Sequence, residues 1–167
     1  MAKKQKNSPE GDPAPSLPMI HSGLLRADPV LITVSSSSDA DEEISLITRG
    51  TLASMTNGWG LCFHETGADP HTDYFTYLLC EENSVTISRI GETASTIVHR
   101  ARETYVNSRE TSKGTYSTCI FTHFVRIKRR GRTGQIQVSY QMNGSGAQVP
   151  YAGMLSRHLD IRFRPCK

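Results

Sequence analysis

The chain has 167 residues, 37% of them hydrophobic, and a net charge of +3 from 19 basic and 16 acidic side chains. That length fits one domain whose core needs neither a metal nor a disulfide to hold it. No apolar run comes near the roughly 18 residues a membrane helix requires, and the small basic excess suits an anionic partner without demanding one.

Cys62, Cys80, Cys119 and Cys166 make no CxxC pair, and Met1 to Lys6 lead into Pro and Ser rather than an apolar stretch. The expectation is a cytoplasmic protein with reduced thiols and no membrane partner. Residues 1–27 hold Pro9, Pro13, Pro15 and Pro18 among Lys, Asn, Ser and Gly, a composition that removes backbone donors and offers little apolar surface. They read as a disordered tail ahead of a single domain over 28–167.

From Pro29 onward, short runs of β-branched and aromatic residues alternate with turn signals at roughly ten-residue intervals, the pattern of an all-β barrel or sandwich. Val30, Ile32 and Val34 alternate along a first strand, Ser35 to Asp41 turn the chain, and Ile44 and Leu46 open a second. Trp59, Leu61 and Phe63 form a third, bracketed by the turn chemistry of Asn57-Gly58 and Thr66-Gly67-Ala68-Asp69-Pro70. Phe75, Tyr77 and Leu79 mark the fourth, Glu81 to Ser84 a turn, and Val85, Ile87 and Ile90 the fifth.

Over 93–106, Ile97, Val98, Ala101 and Tyr105 fit a helical stripe about as well as a strand. Thr93, Thr96, Thr104 and Val106, stiff at χ1, favour a strand but leave open which face turns inward. A long segment from Gly114 places Cys119, Phe121, His123, Val125 and Ile127 on one face and turns at Arg129-Arg130-Gly131-Arg132. It returns with Ile136, Val138 and Tyr140 alternating with Gln135, Gln137 and Ser139, the clearest hairpin in the chain. After a Gly-rich loop over 143–153, Leu159, Ile161 and Phe163 close the domain. The expected fold is all-β: a single antiparallel up-and-down β-barrel of about eight strands, a size whose interior is filled by side chains or holds one small ligand.

Four stretches, in this order and spacing, resemble the YwiB-like family of bacterial proteins over residues 29–165. They are Ser84-Val85-Thr86-Ile87-Ser88-Arg89, Gly114-Thr115-Tyr116-Ser117-Thr118, Gly134 with Ile136, Val138 and Tyr140, and Leu159-Asp160-Ile161-Arg162-Phe163-Arg164-Pro165. The resemblance implies a calycin-type, lipocalin-like barrel. Cys119 departs from the family pattern, which has a proline after the threonine. The family has no assigned activity, and a fold does not supply one.

For a ligand inside the barrel the candidate residues are Arg89, His99, Arg100, Arg102, Tyr116, Thr118 and His123. Side chains of a barrel strand alternate in and out, so either His99 and Glu103 or Arg100 and Arg102 face the interior, where an arginine grips a carboxylate or phosphate with two parallel hydrogen bonds. The bland alternative is charges decorating the outer wall, since buried unpaired charge is rare. A lone His123 among apolar neighbours is ordinarily a hydrogen-bonded core residue.

A second candidate is the basic patch Arg126, Lys128, Arg129, Arg130 and Arg132, which with Lys3, Lys4 and Lys6 suits nucleic acid or an acidic protein. Against it, charged turns are commonly plain solvated surface, and aromatic residues for base stacking are nearly absent there. Cys62, His64 and His71 are zinc-type ligands whose spacing matches no common zinc pattern, so neither a metal nor another cofactor is expected. No GxGxxG, Walker-type or HExxH motif is present, and no nucleophile has a guaranteed base beside it. The reading is a non-enzymatic barrel for a small, partly anionic ligand, with an anionic macromolecule as the alternative partner and pairing of two copies through strand edges left open.

Overall fold

The computed structural model describes residues 24–39, 43–65, 73–91, 94–111, 114–145 and 155–167. Ten strands run through them: β1 Leu24–Ser38, β2 Ile44–Met55, β3 Gly58–Glu65, β4 Tyr74–Cys80, β5 Ser84–Ile90, β6 Ala94–Arg100, β7 Thr104–Thr111, β8 Gly114–Arg130, β9 Thr133–Ser145 and β10 Leu155–Pro165. They form one antiparallel sheet in the order β6-β5-β4-β3-β2-β1-β10-β9-β8-β7. The first and last strands pair along Val30↔Pro165 to Ser38↔Arg157, which joins a six-strand meander to a four-strand one. The two free edges, β6 and β7, are neighbours in the chain.

The sheet curls until those edges meet at a corner. The Arg102 amide donates to the Thr122 carbonyl of β8 at 2.7 Å, and the Thr122 amide donates to the Glu103 carbonyl at 3.0 Å. This knots the β6–β7 turn onto β8, and the result is a nearly closed barrel. Pairing neighbouring strands this way leaves few backbone groups without partners, the requirement a curled sheet must meet.

Strand alternation fixes what fills the interior. Val30, Ile32 and Val34 of β1, Leu61 and Phe63 of β3, Ile136 and Val138 of β9, and Ile161 and Phe163 of β10 all face inward and are buried together with Leu52, Leu78 and Val85. At the end nearest the β8–β9 turn the barrel is plugged. The Trp59 and Phe163 rings lie 5.2 Å apart, and the Arg129 guanidinium sits 5.4 Å from the Trp59 ring centre while donating to Ser54 Oγ at 2.8 Å.

Three expectations change. The strand count is ten rather than eight, because 94–111 folds into two strands about a turn at Ala101-Arg102-Glu103, where Arg102 takes φ 64°. That left-handed conformation is uncommon for a residue other than Gly, Asn or Asp, and nothing in the composition marks a turn there. A register shift between Thr122 and Phe124 leaves His123 as a bulge, so Val125 and Ile127 share the inner face with Ile120 and Thr122, not with Phe121 and His123. β1 continues to Ser38 through residues read as a turn, and it starts at Leu24, so 24–27 of the presumed tail pair with β2; residues 1–23 lie outside the described residues.

Gly134 stands opposite Phe163 in the β9–β10 register, and a Cβ added there would run into the Phe163 ring and the Lys128 carbonyl. A Gly134→Ala substitution should lower unfolding free energy by about 1–3 kcal/mol through overpacking. In urea titrations its midpoint should fall with the slope unchanged.

Candidate functional site

Away from the Trp59 plug, the inward positions become polar. On β9 the alternation that buries Ile136 and Val138 brings Tyr140 inward, and on β10 the series Phe163, Ile161, Leu159 continues to Arg157, which pairs in register with Tyr140. On β5 the series Val85, Ile87 continues to Arg89, opposite the buried Thr76 of β4. Arg89 and Tyr140 come from different walls and act on each other electrostatically because the barrel closes.

The contacts are specific. His99 of β6, 1% exposed, shares a 3.0 Å hydrogen bond between its Nδ1 and Thr122 Oγ1, and its ring lies 4.8 Å from that of Tyr140. Glu65 accepts from Thr76 Oγ1 at 2.6 Å and lies 3.5 Å from Arg89 Nε at the rim. Burial pushes the Tyr140 phenol above its ordinary range, and the guanidiniums of Arg157 and Arg89 pull it part of the way back. Burial alone pushes His99 down to about 4, so it is neutral at pH 7. Arg157 Nε is buried and has no hydrogen-bond partner among the described residues.

Of the residues singled out in the sequence, His99 belongs to this cluster as a buried side chain and Arg89 joins it from the rim, with its side chain exposed. Thr118 of β8, half-buried, is on the inward side with Ile120 and Thr122, and the side chain of Tyr116 lies outside the described residues. Arg100 and Arg102 are exposed at the closing corner, and His123 is exposed at the bulge. The cluster also contains Tyr140, Arg157, Glu65 and Thr76, which the sequence reading passed over. The signal for two of them was present: Tyr140 extends the Ile136–Val138 alternation, and Arg157 extends that of Leu159, Ile161 and Phe163.

The basic hairpin divides in two. Arg129 caps the Trp59 plug, and Arg132 lies 3.9 Å from Asp28, which also pairs with Arg26 at 2.7 Å. Arg126, Lys128 and Arg130 are exposed on the outer wall. Cys62 and His64 also face outward; burial pushes the Cys62 thiol up to about 11, and the His64 ring stacks 4.8 Å from Phe75. His71 lies outside the described residues, among which no three metal-ligating side chains cluster.

A nearly closed antiparallel barrel, joined at the corner between the β6–β7 turn and β8, with one plugged end and polar side chains toward the other, defines the class of protein. Residues 31–152 match the family described as a domain of unknown function, DUF1934, and the chain belongs to that family. It also superposes on the crystal structure of the YwiB protein from Bacillus subtilis with a TM-score of 0.71 at 18% identity, covering 87% of this chain and 96% of that one. The likeness confirms the barrel. No curated protein matches.

Because His99 is buried neutral, folding opposes its protonation. Its contribution to stability is complete above its unfolded value of 6.5 and is lost as the pH falls toward about 4. A shift of that size corresponds to about 3 kcal/mol. Denaturant titrations between pH 7 and 4 should show this loss in the native sequence and a flatter dependence in His99→Gln.

Proposed function

We propose that the domain is a binding barrel, not an enzyme, and that it holds a small anionic molecule in the interior where Arg157, Arg89 and Tyr140 converge. The observation that carries this reading is Arg157 Nε, a buried charged donor without a protein acceptor among the described residues. A buried donor left unsatisfied costs about 1–3 kcal/mol, more when charged, and a carboxylate or phosphate oxygen would remove that cost.

Charge balance points the same way. Among the described residues the cluster sets two guanidiniums, Arg89 and Arg157, against one carboxylate, Glu65, while His99 stays neutral. An anion completes the balance. Neither His99, pushed down to about 4, nor Tyr140, pushed up by burial, titrates near pH 7, where a general acid or base works best, which favours holding a ligand over reacting with it.

Native mass spectrometry of gently purified protein tests the reading. The native sequence should carry an extra mass that is lost on denaturation, and Arg157→Gln should weaken binding of that compound by about a hundredfold or more. With its unsatisfied buried donor removed, the ligand-free variant should be as stable as the native chain or slightly more so. A ligand-free native protein together with a destabilised Arg157→Gln would contradict the proposal, since Arg157 would then be serving the fold alone.

A further inference from the structure

The outer wall of β8, β9, β10 and β1 presents a second, separate surface. Phe124, Arg126, Lys128 and Arg130 are all exposed on β8 at every second position, a repeat of about 6.8 Å along the strand. The bulge at His123 sets this whole row on the outer face, out of step with the residues that precede it on β8. Two strands away, about 10 Å across the sheet, Arg162 and Arg164 of β10 form a second basic row. Lys128, Gln135, Arg162 and Thr33 lie side by side across the four strands.

Lys128, Arg130, Arg162 and Arg164 line a groove of about 830 Å³ together with Leu31, Thr33, Thr133 and Gln135, and the groove reaches Arg129 and Phe163 of the plugged end. The carboxylate on this face, Asp160, is already occupied: it accepts from Gln135 at 2.9 Å, from Gln137 at 3.3 Å and from Arg162 at 3.1 Å. Burial raises its pKa, but these hydrogen bonds outweigh that and hold the carboxylate below its usual range. Among the described residues Lys128, Arg130 and Arg164 have no carboxylate within ion-pair distance.

From this surface we infer that the outer wall binds single-stranded nucleic acid, with its phosphates running along the basic rows and its sugars and bases over the mixed apolar and polar groove between them. The two rows supply regularly spaced cations at a step comparable to that between phosphates of an extended strand. The groove walls follow a backbone, and the Gln135 amide oxygen and the Thr33 and Thr133 hydroxyls line it as hydrogen-bonding groups. Phe124, 41% exposed with the Arg126 guanidinium 5.8 Å from its ring centre, gives one face for stacking.

A duplex fits less well. Reading its major groove needs a projecting helix or ribbon, and the β8–β9 tip is held against the barrel by Arg129 on Trp59 and by Arg132 near Asp28.

Fluorescence anisotropy with labelled 20-nucleotide oligo-dT and oligo-U tests the inference in the full chain. Contact with about four phosphates should give a log–log slope of affinity against salt near −3. Lys128→Glu combined with Arg164→Glu should weaken binding at least tenfold at low salt, while Arg100→Glu, at the barrel corner away from this wall, should leave it within twofold. The milder pair Lys128→Gln and Arg164→Gln should weaken it in the same direction, and matching thermal melts would show that both pairs leave the fold intact. No salt-dependent binding, or equal binding by the Glu pair, would overturn the inference. So would displacement of the oligonucleotide by a polyglutamate peptide at equal charge concentration, which would assign the wall to acidic proteins, and so would a preference for duplex.

Discussion

The corner where Thr122 receives the β6–β7 turn is the contact on which the rest of the molecule depends. Every other strand junction is a ladder between neighbours, and such ladders alone would leave an open, twisted ten-stranded sheet. The pair of backbone hydrogen bonds between Thr122 and residues 102 and 103 turns that sheet into a barrel, and the Thr122 hydroxyl reinforces it by engaging His99. Bringing β6 to β8 also brings β5 to face β9 and β10. Arg89 and Tyr140, far apart in the order of strands, interact only through this closure.

The closed barrel then has two unlike ends. One is stacked shut by Trp59, Phe163 and Arg129, where Gly134 makes room for the Phe163 ring. Toward the other, apolar side chains give way to His99, Tyr140, Arg157 and the rim pair Glu65 and Arg89. Arg89 is exposed and paired with Glu65, whereas the half-buried Arg157 keeps a buried Nε without a partner among the described residues, and a buried donor is costly unless something satisfies it. In a chain whose core elsewhere is ordinary Val, Ile, Leu and Phe, that unsatisfied donor at one end of the interior is what the proposed anion would engage. The outer wall follows a different logic, in which exposed cations cost little and gain from partners that bring phosphate.

Much of the architecture was legible because antiparallel strands with one dry face write their register into the sequence. The alternation of Ile136, Val138 and Tyr140, or of Leu159, Ile161 and Phe163, gave strand and inward face together. What stayed hidden was local exceptions to that rule. The turn at Ala101-Arg102-Glu103 has no Gly, Pro or Asn, and its left-handed residue is an arginine, so two strands read as one. The bulge at His123 reverses the faces of everything after it on β8 without a marker residue. The site was half visible for a related reason: single strands disclose which residues point inward, but the influence of Arg89 on Tyr140 and the contact of His99 with Tyr140 depend on which walls close against each other. The basic hairpin, a single cluster in sequence, separated into structural arginines at the tip and exposed ones on the wall once alternation and packing were known.

The central claim is that Arg157 presents its buried Nε–H to an anion inside the barrel. Nitrogen-15 NMR of the arginine Nε–H groups, with Arg157 assigned through Arg157→Gln, tests it most directly. The account predicts one Nε–H that exchanges slowly with water and shifts on addition of acetate or phosphate, while those of exposed arginines such as Arg100 exchange quickly and do not report the same event. An Arg157 Nε–H that exchanges as fast as those at the surface and is indifferent to both anions would contradict it.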